Sequence, residues 1–168
     1  VSDGFFIAQL TAAHDRQSFS CGAGPLDRYL QTQATQDVRR HLANCFVASP
    51  VQSNVVAGYY TLSAASIPMT DLPVEQTRKL PRYPVIPAAL IGRLAVDRSF
   101  QGRSLGAALL FDAIARAIRA DAAVFALIVD AKDEAAARFY PHHGFQTFSG
   151  SAARLFLPVA TARRAVEG

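Results

Sequence analysis

The chain has no tryptophan, one methionine and two cysteines in 168 residues. Cys21 and Cys45 lie far apart and lack metal-ligand spacing, which excludes a disulfide framework and argues for reduced, structural thiols with no metal. No apolar run approaches the roughly 20 residues that a membrane helix needs. The start, Val-Ser-Asp-Gly, carries neither a basic region nor a hydrophobic signal core, so the expectation is a cytoplasmic protein with no membrane partner. Lysine is scarce too. Only Lys79 and Lys132 occur, so the positive charge behind a net +4 is nearly all arginine. Arginine forks match phosphate geometry better than a lysine point charge does, which favours an anionic partner such as a nucleotide or RNA.

What remains is a chain that is 51% hydrophobic, enough for one domain spanning 1–168 with a substantial core. Phe5–Leu10 reads as a first strand. After the breaker cluster Cys21–Pro25, the spacing of Leu26, Leu30, Ala34 and Val38 predicts a helix to about His41, with Arg39 and Arg40 at its exposed end. Asn44–Ala48 and Val55–Ala64 read as an antiparallel hairpin, in which the alternation at Tyr59 and Tyr60 turns one of them to the core. A proline-rich loop follows, with a short helix over Val74–Leu80 and three cations, Arg78, Lys79 and Arg82. Then come a strand over Ala89–Val96, an amphipathic helix over Leu105–Ala120 and an apolar strand over Ala123–Val129. A helix capped by Asp133 runs to about Tyr140, where Pro141 ends or kinks it, before strands at Phe145–Phe148 and Arg154–Leu157. The pattern is α+β with a mixed sheet.

The segment from Arg93 to Gly106 is the most informative. An apolar strand leads into a loop, Gln101-Gly102-Arg103-Ser104-Leu105-Gly106, that opens a helix. Free N–H groups at a helix start, with the positive end of its dipole, suit a phosphate or pyrophosphate. Gly102 and Gly106 let a bulky anion approach the backbone. A ligand-free strand–helix turn fits the loop alone about as well.

Forty residues on, Asp133-Glu-Ala-Ala-Ala-Arg-Phe-Tyr-Pro-His-His-Gly-Phe145 tips the balance. Together with the loop it resembles the GNAT N-acetyltransferase superfamily, whose Gln/Arg-x-x-Gly-x-Gly/Ala loop holds the pyrophosphate of acetyl-CoA. Ser104 stands where the pattern has its central glycine, which raises the question of a positive φ there. Asp133 replaces the family's asparagine, and Ala136, Phe139, Tyr140, Gly144 and Phe145 match. Phe19–Gly22, Leu26–Leu30, Ala57–Ser63, Pro81–Pro84, Gly92–Asp97 and Val129–Asp133 further resemble the GNAT-type toxins of bacterial toxin–antitoxin pairs.

That resemblance implies a GNAT fold, with a mostly antiparallel central sheet, helices on both faces and a splayed strand pair at the cofactor site. It implies acetyl-CoA as cosubstrate, held by Leu94, Ala95, Val96, the loop 101–106, Ala136 and Phe139, with Tyr140 as general acid. It also implies acetylation of the α-amine of aminoacyl-tRNA, a block on translation, a small ribbon-helix-helix antitoxin and a homodimer. Arg39, Arg40, Arg78, Lys79, Arg82 and Arg93 are the candidate substrate cations. A small amine or a protein N-terminus as acceptor, and a role chiefly in binding an antitoxin to regulate its own operon, are the alternatives. His142 and His143 are expected at the helix C-terminus or in solvent rather than on a metal.

Overall fold

The computed structural model describes residues 4–167. Its seven strands are β1 (Phe5–Gln9), β2 (Asn44–Pro50), β3 (Gly58–Pro68), β4 (Val85–Val96), β5 (Ala126–Asp130), β6 (Gln146–Phe148) and β7 (Ser151–Pro158). They hydrogen-bond in the order β1-β2-β3-β4-β5-β7-β6. β1–β2, β2–β3, β5–β7 and β6–β7 are antiparallel, while β4–β5 is parallel. A parallel pair needs a crossover, and helix α4 (Leu105–Arg119) supplies it. The other helices are α1 (Gly24–Arg28), α2 (Ala34–Arg39), α3 (Val74–Thr77), α5 (Glu134–His142) and α6 (Val159–Glu167). None among the described residues is long and apolar enough to cross a membrane.

The chain forms two compact units. One is built on residues up to Ser63 together with Gly92–Ala113, and the other on Ala64–Ile91 together with Ile114 onward. In the first, Phe19, Tyr29, Leu30, Cys45, Val47, Tyr59 and Ala95 pack as one apolar cluster. Both Tyr59 and Tyr60 are fully buried, not one of them, because both faces of β3 are covered. Tyr59 packs edge-on to Phe19 and donates its hydroxyl to Leu26 O at 2.7 Å. Tyr60 stacks on Phe46 and donates to the Asp112 carboxylate at 2.5 Å. Each buried hydroxyl therefore has its acceptor, as burial requires.

The predicted first helix is present with a defect. Between α1 and α2 the residues Tyr29–Gln33 form a π-helical turn, closed by Ala34 N–H donating to Tyr29 O. Such insertions are rare and frequent at functional sites.

In the second unit, Ile67, Leu72, Ile86, Ala88, Ala126, Ile128, Phe148 and Phe156 form the core. The β4–β5 ladder runs from the pair Ala88–Ala126 to the pair Ile91–Val129. Pro141 lies inside α5 rather than ending it at Tyr140. It sits in the last turn, where its missing N–H removes a single bond. His143 N–H then bonds Tyr140 O, Gly144 N–H bonds Pro141 O, and Gly144 reverses the chain at φ +94°. Helix α6 follows the final strand without having been expected. Its sequence is alanine-rich, and among its described side chains only Ala162 is buried.

Candidate active site

β4 delivers the chain to the loop through Asp97, whose N–H donates to Ala57 O at 2.8 Å. The Asp97 carboxylate is almost wholly buried and holds two backbone amides. Oδ1 accepts from Ser99 N–H at 2.9 Å, capping the turn Arg98–Phe100, and Oδ2 accepts from Ser20 N–H at 2.9 Å. Arg98 N–H donates back to Ser20 O at 2.8 Å. Gln101 completes this clamp, its Nε2 donating to Cys21 O at 3.1 Å and to Val96 O at 3.0 Å. Cys21 N–H in turn donates to Asp27 Oδ1 of α1. The Phe19–Gly22 block is thus fastened to the loop, and both amide protons of Gln101 are engaged in doing so.

What the loop presents is main chain. Gly102 has φ +81° and Ser104 φ +61°, and a Cβ on Gly102 would meet nothing within 4 Å. The first bond of α4 is Ala108 N–H to Ser104 O at 3.1 Å. The N–H groups of residues 102–107 have no acceptor among the described residues. Free amides, a left-handed backbone and the positive end of a 15-residue helix together suit an anion. Ser104 adopts the left-handed geometry that a glycine would supply, at a cost of about 1–2 kcal/mol. Ser104→Gly is accordingly expected to raise Tm by about 2–8 °C while changing acetyl-CoA affinity by no more than about twofold. Ser104→Val should lower both, since a β-branched residue tolerates positive φ worst. Thermal melts and titration with acetyl-CoA check the pair.

Leu94 and Val96 are partly exposed, Ala95 and Leu105 buried, and Gln101–Ser104 exposed. In the second unit Asp133 caps α5 from an extended backbone, its Oδ1 accepting Ala136 N–H at 2.8 Å. An acceptor-only side chain is all that this cap needs. Ala136 and Phe139 are partly exposed. Tyr140 is only 7% exposed, its ring edge-on to Phe139 at 5.1 Å and to Phe145 at 5.5 Å. Its hydroxyl makes no hydrogen bond to any described residue. Burial first, and then the Asp133 carboxylate, push its phenol up to about 12. The group therefore keeps its proton at any physiological pH. His143 is the C-cap of α5, its ring 4.9 Å from that of Phe139, and burial with His142 beside it lowers its pKa.

Of the six candidate substrate cations, Arg39, Arg40, Arg78, Lys79 and Arg82 are exposed. Arg78 and Arg82 come together on a groove of about 930 Å³ lined also by Met69, Leu72, Leu80 and Tyr83. Arg93 is different: it is partly buried, and its guanidinium lies 3.5 Å from the centroid of the Tyr29 ring. Two residues of consequence escape a reading of the sequence. Asp97 is signalled only by an aspartate directly after an apolar strand and two residues before a serine, the pattern of an Asx turn. Tyr29 is marked only by its place in the matching block Leu26–Leu30.

A mixed sheet whose fourth strand leads into a loop of unbonded main-chain amides opening a helix suits the class of acyl-CoA-dependent N-acyltransferases. Residues 43–147 match the acetyltransferase (GNAT) domain, and the chain belongs to that family. It is 35% identical to the tRNA-acetylating toxin of Mycobacterium tuberculosis (strain ATCC 25618 / H37Rv), over 92% of each chain. A structure of AtaT complexed with acetyl-methionyl-tRNAfMet superimposes with a TM-score of 0.90 at 31% identity, covering 96% of this chain and 99% of the other. A Tyr-to-Phe mutant of the AtaT toxin, bound to the C-terminus of the antitoxin AtaR and acetyl-CoA, superimposes with a TM-score of 0.83 at 27% identity, covering 99% and 100%.

Proposed function

We propose that this chain is an acetyl-CoA-dependent toxin that acetylates the α-amine of aminoacyl-tRNA, blocks translation and is neutralised by a cognate antitoxin. The observation that carries the reading is the clamped loop 101–106 within a chain similar, over nearly its whole length, to a tRNA-acetylating toxin. Backbone amides of residues 102–107 suit the cosubstrate's pyrophosphate, and the open space at Gly102 leaves room for it. Leu94–Val96 lie past Ile91, where the ladder between β4 and β5 ends, so their amides suit the thioester carbonyl as an oxyanion hole. Ala136 and Phe139 belong to the cofactor set by their place in the matching motif.

Bound acetyl-CoA supplies the acyl group and a thiol leaving group. An α-amine has a pKa of roughly 7.7–8.0, so a neutral, nucleophilic fraction exists at neutral pH without a strong base. As the new C–N bond forms and the C–S bond breaks, the amine nitrogen gives up a proton to water and Tyr140 donates its own to the departing sulfur, a task that requires a phenol still protonated at working pH. A charged-tRNA substrate implies a cytoplasmic setting, and the partners are a small ribbon-helix-helix antitoxin and a second copy of the chain.

Mass spectrometry of charged tRNA after incubation with enzyme and acetyl-CoA tests the reading directly. Acetylated aminoacyl ester is the expected product. Acetylation of polyamines or peptide N-termini in its place would overturn it. The cations of the rim give a second test. Reversing charge at Arg39, Arg40, Arg78, Lys79 and Arg82 should weaken tRNA binding and flatten its salt dependence, each phosphate contact contributing about 0.9 to the log–log slope on a duplex stem. An unchanged slope across all five would remove them from the interface.

A further inference from the structure

Arg93 is the one candidate cation that the fold has taken partly out of water, and nothing among the described residues hydrogen-bonds or ion-pairs with it. Burying a guanidinium is unfavourable unless its donors are used. Its position is nevertheless tightly prepared. The Tyr29 ring beneath it is 7% exposed, stacks at 13° on Tyr59 and is held by its hydroxyl, which donates to Asp37 Oδ2 at 2.7 Å. Gln33 Nε2 donates to the other carboxylate oxygen at 3.0 Å, so both oxygens of Asp37 face donors other than Arg93. Tyr29 and Gln33 are the first and last residues of the π-helical turn. One face of the guanidinium rests on a fixed ring, the Asp37 carboxylate acts on it electrostatically, and its in-plane N–H fork has no hydrogen-bond partner among the described residues.

The ligand's chemistry follows from the substrate class, and this step rests on the function proposed above. In aminoacyl-tRNA the amino acid's carboxylate is an ester and carries no charge. The anion nearest the reacting amine is then the phosphodiester that joins the last two nucleotides. Arg93 directly precedes Leu94–Val96, the stretch assigned to the thioester carbonyl. We propose that Arg93, mounted on Tyr29, grips that terminal phosphodiester and so makes the enzyme select an amine carried on a nucleotide strand. Arg93 is a specificity residue on this account, and Tyr29 is a positioning residue acting through it.

The test compares two small acceptors bearing the same amino acid: a 3′-aminoacyl adenosine, without phosphate, and the 3′-aminoacyl cytidylyl-adenosine dinucleotide, with one phosphodiester. The readout is the ratio of their kcat/KM values, which a partly misfolded preparation leaves untouched because both rates scale together. The native enzyme should prefer the dinucleotide by about 10- to 100-fold, as expected of one charge-assisted contact. Arg93→Met should bring the ratio to within about threefold of unity, and Arg93→Lys should restore only part of it, lacking the fork. Tyr29→Leu, which removes the ring and keeps the cation, should lower the ratio to an intermediate value. A ratio preserved in Arg93→Met overturns the proposal, as does a native enzyme that acetylates charged tRNA yet ignores the phosphodiester; in both cases the proposed function stands. A native enzyme inactive on charged tRNA and on both small esters sinks that function and this role with it.

Discussion

Replacing Tyr140 by phenylalanine is expected to lower kcat for acetyl transfer by about 10²- to 10⁴-fold, the span typical of a lost general acid. The ring fills the same space between Phe139 and Phe145, and the missing hydroxyl has no hydrogen-bond partner among the described residues. Folding and acetyl-CoA binding should therefore change little, and the loss should fall on kcat rather than on affinity. The pH profile provides a separate check. An acid must hold its proton to act, so with its phenol pushed up to about 12 Tyr140 is competent everywhere below that value. Activity should rise as the α-amine loses its proton, level off above about pH 8 and show no descending limb up to about pH 10. Full activity in Tyr140→Phe, or a fall in rate between pH 8 and 10 in the native enzyme, would reassign the proton donor.

The second large effect is expected at Asp97. Truncation to alanine removes the acceptor for Ser20 N–H and Ser99 N–H at once and leaves two amides without partners near the loop. Hydrogen bonds to a charged group contribute about 1.5–3 kcal/mol each, and a net loss of about 3 kcal/mol corresponds to a fall in Tm of about 6–12 °C at this size. Acetyl-CoA affinity should fall with it, by about tenfold or more, because the loop loses its support. Asp97→Asn keeps one carbonyl acceptor and should lie between. Calorimetry and cosubstrate titration decide the matter: an alanine variant that melts and binds like the native protein would show that the clamp is dispensable.

How much of this was legible beforehand depended on whether the signal was periodic. α4 was predicted to within a residue, since Leu105, Leu109, Ala113 and Ala117 repeat along one buried face. β4 begins at Val85, four residues before the predicted start, because Pro84 and Pro87 read as breakers. Pro87 in fact sits in the strand and lends its carbonyl to Phe125 N–H. The π-helical turn was invisible because a one-residue shift barely disturbs a 3.6-residue pattern, yet Tyr29 lies at its start. Of the candidate site, glycine spacing and motif order single out the loop 101–106 and Tyr140. The clamp was not legible, because bonds from Asp97 and Gln101 to main-chain groups about 80 residues away leave no local pattern. Nor could the stacking of Arg93 on Tyr29 be read from a spacing of 64 positions, whose only trace was two separate matching blocks.

The fastening of Gln101 and Asp97 to the stretch around Ser20 also bears on how such a chain can drift over evolutionary time. Because the contour of the loop 101–106 is imposed from behind, the letters on its outer rim are released from that duty. This accounts for a serine being tolerated at 104, and it implies that variation should gather at 103 and 104 while Ser20, Asp97 and Gln101 hold still together.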